Sequence, residues 1–215
     1  MPTLYGVYRS RATRNFWAAG ELGMVLDHVP VMQAYRAGAT GPDQTGITTT
    51  SPEFLAISPA GAIPVLVDGD LVLSESLAIT LYLARKAGGP LAPADTAEDA
   101  LMQQWAFYGA TAIEPSSVTM MYAFTEGRGD SAEVVDLAQK LQRPLAVLQA
   151  HLAAHGHLVG GRFTVADINM AEVLRYAQSH PTLLAGFPAV DSWLRACQAR
   201  PAFVAMWAKR LAEPA

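Results

Sequence analysis

The spacing of apolar residues changes character near residue 88. Upstream, they come in short runs: residues 4–7 and 26–31 read as strands, and Val65-Leu66-Val67 and Leu71-Val72-Leu73 as two more. Between the first two strands, Phe16, Trp17 and Leu22 are spaced for a helix over residues 14–22, which makes a βαβ unit. Ala78, Ile79, Leu81, Tyr82 and Leu83 also carry helical spacing, and residues 52–57 predict a short helix. The order over residues 1–86 is therefore β-α-β-(α)-β-β-α. Residues 34–52, rich in Gly, Thr and Pro, read as a loop; that length in a compact domain is usually functional or mobile, and a lid is one expected role. Gly88-Gly89-Pro90-Leu91-Ala92-Pro93 breaks the pattern as a linker, and everything beyond it is helix-spaced: residues 94–124, 131–155, 164–179, 187–199 and 201–211. Pro115 lies inside the first of these and predicts a bend near residue 114.

Residues 63–79 combine a proline at a strand start, a hairpin and an acidic-hydroxyl helix opening. Pro64 has no N–H for a sheet ladder, so it belongs at a strand start or edge. A cis Ile63-Pro64 bond would turn the N–H and C=O of Ile63 outward, available to pair with a bound peptide backbone. Asp68-Gly69 reads as the two-residue hairpin turn. Ser74 reads as an N-cap, which puts Glu75 and Ser76 in the first helical turn, where unpaired N–H groups bind a carboxylate and the Glu75 carboxylate binds an ammonium. An amino-acid zwitterion carries both charges. The alternative is a plain hairpin followed by a well-capped helix.

Composition narrows the function classes. A 215-residue chain that is 51% hydrophobic buries a sizeable core. With 15 Lys and Arg against 19 Asp and Glu, it lacks the basic face that nucleic acid requires. No apolar run approaches a membrane span and the first residues lack a secretory core, so a cytoplasmic protein with no membrane partner is expected. One cysteine, Cys197, excludes an internal disulfide framework and a CxxC pair; its helical context suits a buried core residue. His151 and His155 have helical spacing but no accompanying metal-ligand pattern, so no metal site is expected. Thr164 and Asp167 form a capping box with Phe163 positioned to staple onto Ile168, a structural pattern and not a catalytic one.

The arrangement I-P-V-L, G, L, S-E-S, A-I over residues 63–79 resembles the glutathione-binding half of cytosolic glutathione transferases, and the likeness extends over nearly the whole chain. The capping box at Thr164 and the late segment W-L-R-A-C-Q-A-R-P resemble the same family. The resemblance implies an α/β thioredoxin-like domain over residues 1–86 and an all-α domain over 94–215. It also implies glutathione as co-substrate and a homodimer. Glutathione would be held by Ile63, Pro64, Glu75 and Ser76, with Gln33 and Arg14 as further candidate contacts.

A bound thiol, near pKa 8.5 when free, needs a hydrogen-bond donor to stay ionised at neutral pH. Tyr5, Tyr8, Ser10 and Thr13 are the hydroxyls near the first helix. Ser10, four residues before Arg14, resembles the activating serine of serine-type transferases (theta-like and related bacterial classes) and is the favoured donor; Tyr8 is the runner-up. Ser10 and Thr13 as mere helix caps is the alternative. Arg9, Arg11 and Arg14 place positive charge beside this position. Where many relatives carry Lys or Gln this chain has Ala62, which removes a usual contact to the glycine carboxylate; Gln33, Tyr35 or Arg36 are candidate replacements. A hydrophobic electrophile is expected between the domains, against Tyr8, Phe107, Tyr108, Thr111, Ala112, Pro115 and Met120, although an aromatic stripe of this spacing also serves as plain core. The expected activity is thiolate attack on an electrophilic carbon or peroxide, with glutathione-dependent isomerisation or dehalogenation as a variant and a non-catalytic binding protein as the competing class.

Overall fold

The computed structural model describes residues 1–37 and 46–214, which form two compact units: Met1–Ala87 with Pro201–Ala215, and Gly88–Arg200. The lid reading of residues 34–52 falls largely on 38–45, outside the described residues.

In the first unit the strands β1 (Thr3–Tyr5), β2 (Asp27–Val29), β3 (Val65–Asp68) and β4 (Leu71–Ser74) form one sheet in the order β2-β1-β3-β4. β1 runs parallel to β2, as a βαβ unit requires, and antiparallel to β3, which pairs antiparallel with β4. Alternation assigns the faces. Leu4 and Leu66 point to a cluster shared with Ala12 of the α1 approach and with Ile79 and Leu83, while Val65 joins Val31 and Phe54 on the opposite face. The helices are α1 (Thr13–Glu21), the one-turn α2 (Ala34–Ala37), α3 (Pro52–Leu55) and α4 (Ser76–Ala87). The hairpin turn differs from the sequence reading. Asp68 pairs with Leu71, so the two-residue turn is Gly69-Asp70 with Gly69 at φ 60°. Asp68 itself accepts from the Tyr82 hydroxyl (2.7 Å) and the Lys86 ammonium, which hold its carboxyl below the usual range.

The second unit contains α5 (Thr96–Tyr108), a π-helical turn (Gly109–Ile113), α6 (Glu114–Thr125), α7 (Ala132–His155), α8 (Val165–Leu174), 3₁₀ turns at Arg175–Ser179 and Leu183–Gly186, and α9 (Pro188–Gln198). Where the bend was expected, near residue 114, the structure has this π turn running into α6. Pro115, in the first turn of α6, has no N–H to continue the ladder, and the wider turn accommodates its ring. Leu137, Leu141, Leu145, Leu148 and Leu152 form the buried stripe of α7, and every residue of α8 is buried. Cys197 is buried, as its helical context predicted. Among the described residues no helix is long and apolar enough to cross a membrane.

The last helix, α10 (Pro201–Ala212), was expected with the helical domain but packs with the first unit. Its contacts explain this: the Phe203 ring meets Trp17 of α1 edge-on at 4.9 Å, and Gly20 of α1 leaves room for Ala202.

Asp167 organises the second unit's polar interior. Its fully buried carboxylate accepts from the Thr164 N–H (2.9 Å), the Leu158 N–H (3.2 Å) and the Trp193 indole (2.9 Å), so the capping box also fastens α8 to α9. The Phe163 ring, read as a staple onto Ile168, lies 3.7 Å from the Arg200 guanidinium. Glu98 ties Arg162 by two bonds of 2.8 and 2.6 Å and accepts from the Ala94 N–H.

Asp167→Asn replaces one acceptor oxygen with a donor facing donors, and denaturant unfolding should show a loss of about 3 kcal/mol; a loss under about 1 would contradict the hub role. Arg162 lowers the Glu98 carboxyl from 4.5 to about 2. The native state therefore binds the proton less readily than the unfolded chain, so this stabilisation is complete above pH 4.5 and is lost as pH falls towards 2. The melting-temperature gap between the natural chain and Glu98→Gln should follow that course; a gap constant down to low pH would refute it.

Candidate active site

A buried polar link joins α1 to the start of α4. The Asn15 amide, fully buried, donates to the Ser76 carbonyl (2.8 Å) and to the Thr80 hydroxyl (2.9 Å), and that hydroxyl donates to the same carbonyl (2.7 Å). Arg14, 1% exposed, donates to the Ser76 hydroxyl at 3.0 Å. Arg14, a candidate contact for a ligand, therefore meets the expected site through Ser76.

Ser74 ends β4 and does not cap α4, because Glu75 stands between strand and helix at φ 70°. The Glu75 carbonyl accepts from the Ile79 N–H (2.9 Å) and so opens the helix. A left-handed conformation at a residue other than glycine costs about 1–3 kcal/mol and persists where neighbours over-determine it. Here the strand on one side and the Ser76 carbonyl anchor on the other do so. The Glu75 side chain is exposed, whereas Ser76 is buried.

The Ile63-Pro64 bond is cis. Ile63 precedes β3, and among the described residues neither its N–H nor its C=O has a hydrogen-bond partner. The end of β1 approaches this turn closely. A Cβ on Gly6, which has φ 150°, would stand 3.8 Å from the Pro64 Cα, 3.7 Å from the Ile63 Cβ and 3.2 Å from the Ala12 Cβ. The cis-proline turn and the approach to α1 are thus neighbours. Ala62, exposed and too short to reach a ligand carboxylate, accepts at its carbonyl from the Ser58 hydroxyl (3.2 Å).

Ser10 lies half-buried in the turn before α1. Its hydroxyl donates to the Val7 carbonyl (2.7 Å) and accepts from the Ala12 N–H (3.0 Å). It shapes the turn, while Ala12 occupies the N-cap position without a side-chain cap. Thr13 is fully buried and Tyr5 lies within β1, its ring 6.3 Å from Phe54. Tyr8 stacks on Phe16 at 3.9 Å with its edge to His28. The Gln33 amide donates to the Arg9 carbonyl (3.3 Å) and accepts from Arg36, while Tyr35 is exposed. Glu213, at the end of α10, went unseen in the sequence: its carboxylate accepts from the N–H groups of Tyr8 and Arg9, both at 2.7 Å. Only the acid following a helix in Leu211-Ala212-Glu213 hinted at it, and nothing local pairs it with residues more than 200 positions away.

In the second unit Phe107, Thr111 and Pro115 recur at four-residue spacing and are exposed, Phe107 to 68%. Tyr108 is half-buried, donating to the Pro144 carbonyl (3.4 Å), and burial raises its phenol pKa. Met120, expected at the pocket, is fully buried core instead.

Comparison with known proteins bears directly on this geometry. Residues 4–91 match the family model described as "Glutathione S-transferase, N-terminal domain", and residues 100–201 the one described as "Glutathione S-transferase, C-terminal domain". The chain is 35% identical over 212 residues to glutathione S-transferase 3 of Zea mays, covering 93% of this chain and 90% of that protein. It is also 36% identical over 133 residues to elongation factor 1-gamma 2 of Oryza sativa subsp. japonica, covering 59% of this chain and 31% of that protein. A solved structure of glutathione S-transferase-I bound with lactoylglutathione superposes with a TM-score of 0.80 at 26% identity, covering 97% of this chain and 99% of the other. A sheet built in the order β2-β1-β3-β4, a cis-proline turn beside an acid-serine helix opening, and two matched domains place this chain in the glutathione S-transferase family.

Proposed function

We propose that this glutathione transferase holds its thiol substrate between the Ile63-Pro64 turn and the start of α4, and activates it with the Ser10 hydroxyl. The observation that supports this most is the buried link from Arg14 and Asn15 to Ser76. Those two residues begin four positions after Ser10, so one short element sets the distance between the activating hydroxyl and the helix opening. The γ-glutamyl ammonium pairs with Glu75. Its carboxylate takes the Ser76 hydroxyl at the N-terminus of α4. The peptide backbone pairs with Ile63 in strand fashion, and Gln33 replaces the contact that Ala62 lacks.

The Ser10 proton rests on Val7 in the structure described above; rotation about its C–O bond redirects it to sulfur without moving the chain. A hydrogen bond to the thiolate favours the ionised form, each pH unit of lowered pKa corresponding to about 1.4 kcal/mol. The thiolate then supplies the electron pair for a new S–C bond while the electrophile's leaving group departs with the pair from the broken bond; with a peroxide, the sulfur forms an S–O bond as the O–O bond breaks, the alkoxide leaves with that pair and takes a proton from water, and a second glutathione converts the sulfenic acid to the disulfide and water. Tyr8, stacked on Phe16 and meeting His28 edge-on, has less freedom than Ser10 to reach the sulfur, which supports the serine-type subclass, theta-like or related. A homodimer in the cytoplasm belongs to the same proposal. The elongation-factor relative supports a second reading, a non-catalytic binding protein of the same fold.

Ser10→Ala should lower kcat/KM at neutral pH by about ten-fold or more and move the pH-rate inflection up by about one unit. An unchanged rate and inflection would remove Ser10 from the mechanism. Glu75→Gly relieves the positive φ but deletes the carboxylate. Thermal stability should hold or rise by up to about 1 kcal/mol while the KM for glutathione rises about ten-fold; a normal KM would refute the ammonium contact.

A further inference from the structure

The backbone of Tyr8 and Arg9, immediately before Ser10, belongs to no helix or strand, and every one of its polar groups is met by a side chain from elsewhere. The Glu213 carboxylate accepts from both N–H groups at 2.7 Å, one per oxygen. The Tyr8 carbonyl accepts from Arg210 (2.7 Å), and the Arg9 carbonyl from Gln33 and Arg36 (3.3 Å each). The C-terminal segment is anchored in return: the Arg9 guanidinium donates to the Glu213 carbonyl (2.8 Å) and Arg36 to the Pro214 carbonyl (3.0 Å). We infer that Glu213 is a positioning residue for thiol activation, its carboxylate fixing the Tyr8-Arg9 turn and through it the Ser10 hydroxyl. This rests on the reading of Ser10 given above.

The physical case is one of supply and demand for acceptors. Two consecutive N–H groups pointing the same way form a small anion-binding nest, and a carboxylate fills it with charge-assisted bonds that a neutral group cannot duplicate. The Ser10 backbone continues directly from this turn, and its Oγ also accepts the Ala12 N–H, a bond that is kept when the hydroxyl proton turns to sulfur. When the Glu213 carboxylate is lost, the two N–H groups turn to water and Val7–Ser10 loses its fixed geometry. A hydroxyl displaced by an ångström stabilises a thiolate poorly, and such displacements cost up to about a hundred-fold in rate. The device also ties activation to docking of α10 on α1, because Glu213 follows directly on that helix.

The test is a double-mutant cycle with conjugation kinetics across pH, using glutathione and a small chloronitroarene electrophile, on the natural chain, Glu213→Ala, Glu213→Gln, Ser10→Ala and the Ser10→Ala/Glu213→Ala double variant. Glu213→Ala should lower kcat about ten-fold or more and raise the pH-rate inflection, while the KM for glutathione changes less than about two-fold. Glu213→Gln, which keeps one acceptor oxygen and the size of the side chain, should fall between and decides the matter where the alanine variant does not fold. In the Ser10→Ala background the second substitution should have no further effect. Equal losses in both backgrounds, or an unchanged kcat and inflection in the Glu213 variants while Ser10→Ala is impaired, would overturn this inference and leave the Ser10 reading intact. A silent Ser10→Ala would overturn both.

Discussion

The bond network around the Ser76 carbonyl sets how α1 and α4 meet in the first unit. One carbonyl receives the Asn15 amide and the Thr80 hydroxyl, and the adjacent Ser76 hydroxyl receives Arg14. All four side chains are buried, where unsatisfied polar groups are costly, so the network has little freedom to rearrange. It fixes α4 against α1, and hence the Glu75-Ser76 helix opening against the turn that carries Ser10. The sheet supplies the third point through the cis-proline turn packed over Gly6. Under the proposed reading, a flexible tripeptide captured at these three points loses its freedom on binding and not during reaction.

Local strain and remote support go together in this unit. Glu75 occupies a backbone region that glycine would fill more comfortably, and the Tyr8-Arg9 turn has no regular secondary structure to satisfy it. In both places the conformation is imposed by groups distant in sequence: the α1 side chains for the first, the end of α10 for the second. The second unit handles its polar interior differently. There Asp167 gathers its donors from the α8 cap, the preceding loop and α9, and serves packing alone.

Much of this was legible in the chain because it is local. The period of Leu4, Leu66 and Val65, the strand start at Pro64 and the Thr164–Asp167 box depend on neighbours within a few residues, and hydrophobic spacing or capping chemistry reads them directly, whereas the cis state of the Ile63-Pro64 bond came only as a condition and from the family resemblance. The misreadings share the opposite property. Ser74 has every attribute of an N-cap, but the register of β4 against β3 carries the strand through it and leaves Glu75 to make the turn. The hairpin slid by one residue for the same reason, since Asp68 is needed as a strand residue whose carboxylate meets Tyr82 and Lys86. Met120 looked like pocket lining because an apolar helical stripe does not say which side faces a ligand. Placing α10 and finding Glu213 required knowing which surface α1 leaves open, and no pattern over residues 201–215 contains that.

On the proposed reading, the residues converging beside α1 bind glutathione as its thiolate. The ultraviolet absorbance of the thiolate, followed across pH with glutathione saturating the protein, measures this without any electrophile. The sulfur should ionise at least about one pH unit below the free thiol's value near 8.5, with one thiolate per chain. Glutathione that binds but titrates like the free peptide, or that leaves no thiolate signal at millimolar concentration, would contradict it.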